Sequence, residues 1–157
     1  MSRQKVIRFG ALLALVTMAS HGNPATAEAM KGIRALVFSG ETLREPVRIH
    51  DAESATAVWL SLRGGPVLPQ DSVVMLSGHR CIVISAFIFN QRNENVPVDE
   101  LPAGRGDYNY TMYLFGQGTR PVLFAGNRVW KLNVTAAQEL AALGVPVADT
   151  TRTTTGC

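Results

Sequence analysis

Only two cysteines, Cys81 and Cys157, occur in 157 residues. No Cys-x-x-Cys pair is present, and no His-Glu-x-x-His segment, so the common spacings of zinc sites are missing. A Gly-x-Ser-x-Gly elbow is also lacking, and Ser39-Gly40 and Ser77-Gly78 read as ordinary turn residues. Gly116-x-Gly118 has neither a third glycine nor a following helix, which excludes a phosphate-cradling loop. There is no basic run of the kind that neutralises a phosphate backbone, so nucleic acid is not an expected partner. No internal repeat is found. Neither a Leu-x-x-Cys box nor a twin-arginine pair precedes the first long polar stretch, which leaves general export without lipidation as the default.

What the first 27 residues do contain reads as an export signal, with an uncleaved anchor as the competing account. Arg3, Lys5 and Arg8 make a positive start. Phe9 to Ala19 is apolar but too short to span a bilayer, which takes ~20 residues. Ala25-Thr26-Ala27 supplies small residues at a cleavage site, so the mature chain is expected to begin at Glu28 and to carry no membrane span. The expected location is secreted or periplasmic. The formal charge of +3 belongs to the signal, because residues 28–157 hold 12 basic and 12 acidic groups.

The mature part is long enough for one domain with a real core. Residues 28–148 are expected to form it, and 149–157 to be a Thr-rich flexible tail. Its centre is Cys81 to Phe89, CIVISAFIF, a nearly continuous apolar run. A buried helix would give the same composition. The β-branched content and the flanking turn residues favour a central strand covered on both faces.

Around it, Ile33–Ser39 and Val47–His50 read as two strands joined by the long connection from Gly40 to Pro46. Asp51 is a good N-cap for a helix over Ala52–Leu62, where Ala55, Val58, Trp59 and Leu62 make one apolar stripe. Gly64-Gly65-Pro66 stops it, and residues 65–71 read as loop. Trp59 is expected in the core. Ser72–Leu76 is a further expected strand, joined to the central one by a tight hairpin at Ser77–Arg80. Residues 90–106 form a long polar connection. In the strand Tyr108–Phe115, residues Tyr108, Tyr110, Met112 and Leu114 share one face. Arg120–Phe124 and Asn127–Leu132 pair through Gly126-Asn127. A capping-box pattern at Thr135–Gln138 opens a helix over 136–143, closed by Gly144. The expected fold is α+β: an antiparallel twisted sheet of about six or seven strands with two short helices.

Several short patterns carry a resemblance. Val37 to Asp51 reads strand, Gly, Leu43, Pro46-Val47, Ile49, Asp51. Arg120-Pro121-Val122-Leu123, Val129-Trp130 and Gly144-Val145-Pro146 follow. Together they resemble small, uncharacterised exported bacterial proteins of a kind common in actinobacteria. The resemblance implies a bacterial, secreted setting and carries no activity, cofactor or catalytic residue.

Three function classes stand open on the residues alone. The first is a non-catalytic exported module that binds a protein, an envelope component or a small ligand. Arg92, Arg105, Asp107, Tyr108 and Tyr110 are its candidate surface, since Tyr and Arg are favoured at binding hot spots. Ordinary sheet packing is the competing account of the tyrosines. Arg105-Gly106-Asp107 is also an RGD tripeptide, whose competing account is a glycine-shaped turn. The second class is an enzyme with dispersed residues around His50, Asp51 and His79. The third is a structural protein tethered through Cys157, although Cys81 and Cys157 can equally pair with each other. No catalytic residue, metal ligand or cofactor is assigned.

Overall fold

The computed structural model describes residues 32–150 apart from 71, 73–75 and 77. The expected signal, and Cys157 with the rest of 151–157, lie outside the described residues. The fold is α+β, with one seven-stranded antiparallel sheet in the order β2-β1-β4-β5-β6-β7-β3. The strands are β1 (Ile33–Ser39), β2 (Val47–Ile49), β3 (Val67–Leu68), β4 (Cys81–Ile88), β5 (Tyr108–Tyr113), β6 (Val122–Ala125) and β7 (Arg128–Lys131). Helix α1 spans Ala52–Leu62 and helix α2 spans Val134–Ala142. Among the described residues no helix is long and apolar enough to cross a membrane.

The apolar run at 81–89 is an interior strand, hydrogen-bonded to β1 on one side and β5 on the other. Its alternation decides two cores. Ile82, Ile84 and Ala86 face the helices, together with Leu36 and Phe38 of β1 and Tyr110 and Met112 of β5. Phe87 faces the opposite way with Ala35 and Val37, and is covered by Leu101. A register shift between Ile33 and Ala35 lets Ile33 join the helix-side core although its parity differs from Leu36. Thr56 of α1 secures that start, accepting from the Ile33 N–H at 3.2 Å and donating to its carbonyl at 3.3 Å.

Helix α1 forms where expected because its stripe of Ala55, Val58, Trp59 and Leu62 is buried against this face. The Asp51 carboxylate accepts from the Ser54 N–H at 2.8 Å and satisfies one unpaired donor of the first turn. Gly65 then brings the chain against β7: a Cβ there would lie 1.6 Å from the Lys131 carbonyl oxygen. Helix α2 starts earlier than the capping-box pattern suggests. Asn133, not Thr135, is the N-cap, accepting from the Ala136 N–H at 2.6 Å. Its end is a Schellman turn: Val145 N–H to Leu140 O at 2.9 Å and Gly144 N–H to Ala141 O at 3.0 Å, with Gly144 at φ 79.

Two expectations are corrected. The chain between α1 and β4 does not form a hairpin with β4, whose neighbours are β1 and β5. Ser72 and Leu76 lie in short 3-10 turns, and Val73, Val74 and Met75 lie outside the described residues. Instead Val67–Leu68, read as loop, pairs with Val129 and Trp130 at the far edge of the sheet. The physical reason is connectivity. Helix α1 carries the chain from the β2 edge to the β3 edge, and the return to β4 must cross the sheet's other face.

Truncating Trp59 to Ala is expected to cost about 3–5 kcal/mol in urea unfolding, whereas Leu60→Ala, on the solvent side of α1, is expected to change stability by less than about 0.5 kcal/mol. Hydrogen bonding to Ser54 holds the Asp51 carboxyl below its usual value. A depressed folded-state value stabilises above the unfolded pKa of about 4 and ceases to do so as pH falls through the folded one. Asp51→Ala is therefore expected to lower the melting temperature at neutral pH, with the gap to the parent protein closing below about pH 4.

Candidate functional site

The five residues of the candidate binding surface do not meet on one face. Tyr110 is buried, its ring stacked on Trp59 at 4.1 Å and 15° and set edge-on to Trp130 at 5.3 Å and 89°. Burial raises its pKa, and the nearby Arg63 charge and hydrogen bond partly offset that. Tyr108 is half-buried on the same helix-facing side, 6.4 Å from Trp59. Arg92 and Arg105 are exposed in the 90–106 connection, whose apolar residues pack on the other side of the sheet.

Asp107 is committed to the fold. Its carboxylate accepts from the Ile88 N–H at 3.0 Å, Asn90 Nδ2 at 3.0 Å and Asn93 Nδ2 at 2.8 Å. These bonds tie the turn after β4 to the start of β5. Gly106 is equally constrained, because a Cβ would stand 2.7 Å from the Ala86 carbonyl oxygen. The connection is further held by arginines of the β1–β2 edge. Arg34 donates to Val96 O, and Arg48 donates to Val98 O and Leu101 O, each at 3.3 Å.

The histidines are held apart. His50 pairs with Asp99 at 3.4 Å on the surface, and Asp51 caps α1. Through the β2–β1–β4 register, His50 falls level with Phe87. Cys81 lies six residues back along β4, roughly 20 Å away at ~3.3 Å per residue, and His79 lies beyond it. His79 packs on Phe115 instead, with ring centroids 4.3 Å apart. No group of three or more His, Cys, Asp or Glu side chains positioned for a metal ion occurs among the described residues. Cys81 is in a disulfide. Cys157 lies outside the described residues.

A different site is built where the chain crosses back over the sheet. A cavity of about 350 Å³ opens there, in the size range of small-ligand pockets. Its floor is the sheet face away from the helices: the cross-strand pair Val122 and Lys131, with Leu68 of β3 and Phe115 after β5. Ser72 and Leu76 line it from the segment between β3 and β4, and Thr119 and Arg120 from the turn before β6. Leu76 packs with Val122 and Val129, so the cover is seated on the sheet by its own small core. The lining is mainly apolar by area, and among the described residues it holds two basic side chains and no acidic one. Arg120 is anchored through a 3.3 Å bond from Nη1 to the Leu132 carbonyl, and its other donors have no partner among the described residues. Lys131 is exposed, and neither basic group is paired with a carboxylate among the described residues.

None of this pocket was singled out from the sequence. Period-two alternation puts Val129 and Lys131 on one face of β7, which was legible, but the segment that covers them is defined by a long-range crossing. Comparison with known protein families, with curated proteins and with solved structures finds no match for this chain.

Removing the Asp107 carboxylate frees three donors at once. Asp107→Ala is expected to lower stability by about 1–2 kcal/mol and to speed limited proteolysis within residues 90–106, read by mass mapping of the first cuts.

Proposed function

We propose that the protein is an exported, non-catalytic module of a bacterial cell envelope or secreted fraction, and that it seats a small apolar ligand in the pocket lined by Leu68, Ser72, Leu76 and Phe115. The pocket is the single observation that carries this reading. It combines a concave apolar floor with a few polar groups at its border, the usual composition of a ligand seat. Export rests on the N-terminal pattern of charge, short apolar run and small residues. The disulfide at Cys81 is in keeping with an oxidising compartment. We further propose that the partner cysteine is Cys157, the other cysteine of the chain.

Native mass spectrometry on protein recovered from its own exported fraction tests the reading. The expected species starts at Glu28, gains two hydrogens on reduction, and carries a small bound mass that survives gentle ionisation. Leu68→Trp, which fills the pocket from its half-buried floor, is expected to leave the fold intact and remove that mass. A chain that keeps residues 1–27 would contradict export by cleavage. A bound mass unaffected by Leu68→Trp would move the ligand elsewhere.

A further inference from the structure

The apolar lining alone would accept any greasy molecule. The charges at its edge are more selective. Lys131 sits opposite Val122 in the β6–β7 register, on the sheet face that forms the floor. Arg120 stands two residues before Val122, and its guanidinium is steadied by the Leu132 carbonyl just past Lys131. The two cations therefore line one cavity, with Thr119, the residue before Arg120, adding a hydroxyl. Among the described residues no carboxylate lines the cavity to neutralise them. An anion placed there takes charge-assisted hydrogen bonds, stronger than neutral ones. Leu68, Leu76, Phe115 and Val122 make most of the remaining lining apolar, with Ser72 as its other polar member.

We infer that the pocket selects a monoanionic amphiphile, an apolar body of medium length bearing one carboxylate, with the carboxylate on Arg120 and Lys131 and the body over Leu68, Leu76 and Phe115. This inference rests on the reading of the pocket as a ligand seat, and deepens it. A cationic amphiphile is disfavoured by the same two charges. A neutral one gains only the apolar contact. Because both basic groups are solvent-exposed, the preference weakens as salt screens them.

The test uses the mature protein and a homologous series of ten-carbon probes: decanoate, 1-decanol and decylamine, each titrated below its aggregation threshold and read by displacement of the uncharged dye Nile red. Decanoate is expected to bind at least about tenfold more tightly than 1-decanol, and decylamine most weakly. Raising the salt concentration is expected to narrow the first gap. Replacing both cations, Arg120→Gln with Lys131→Gln, is expected to abolish the preference while retaining the affinity for 1-decanol. Lys131→Glu alone, at an exposed strand position, is expected to weaken decanoate and strengthen decylamine, a gain that misfolding would not produce. Equal affinities for decanoate and 1-decanol would overturn the inference and leave the ligand seat standing. Failure of all three probes and of the dye to bind would overturn both. Sedimentation with phosphatidylglycerol vesicles, without binding of decanoate, would assign the anionic chemistry to a lipid surface and overturn the free-ligand form.

Discussion

The indole of Trp59 lies flat on the ring of Tyr110, 4.1 Å away, while Trp130 meets that ring edge-on at 5.3 Å. Arg63, just past α1, places its guanidinium 5.3 Å from the Trp59 ring and 5.5 Å from the Tyr110 ring, and donates through Nε to the Tyr110 hydroxyl. Trp130 Nε1 donates to the Leu62 carbonyl at 2.7 Å, which satisfies an acceptor left over at the helix end. One helix, an interior strand and a strand near the far edge are thus joined by one cluster of three aromatic rings. Trp59 Nε1 is left without a partner among the described residues, a cost that the ring contacts and burial offset.

With α1 held there, the path of the chain is constrained. It leaves β2 at one edge of the sheet, crosses over the helix-side core, and pairs as β3 at the other edge. Since that face is occupied by α1 and α2, the return to β4 runs over the opposite face. Leu76 packs there on Val122 and Val129. The pocket lies beside the contact of Leu76 with Val122, where Leu68, Ser72, Phe115 and Lys131 also line it. Its two cations come from the floor and from the turn before β6, which is why the selectivity proposed for it does not depend on the 90–106 connection.

The connection over residues 90–106 has the composition of a binding loop. Its role in the structure is cover. Val96, Val98 and Leu101 lie on Ala35, Val37 and Phe87. Arg34 and Arg48 hold its carbonyls, while Asp107 and Gly106 tie its return to β4. The tripeptide Arg105-Gly106-Asp107 is therefore a closure whose glycine has no room for a side chain and whose carboxylate is bonded to its neighbours.

Local rules determined a good deal. The period-two pattern of 108–114, the β-branched run at 81–88 and the stripe 55, 58, 59 and 62 each have one low-energy way to bury their apolar side, so strand, strand and helix were legible from residue order. Glycines at 65, 126 and 144 likewise marked breaks that backbone geometry requires. The strand at Val67–Leu68 was not legible, because two residues carry no period and the pairing depends on β7, more than sixty residues away. The same holds for Asn133 as the cap of α2, where an equally good local signal at Thr135 lost to the position of the helix on the core. The ligand seat lay furthest from sequence reasoning. Arg120, Lys131, Leu68 and Leu76 acquire a common meaning only when the tertiary structure folds a crossing segment over the sheet, since charge and apolar surface make a site through proximity and not through order along the chain.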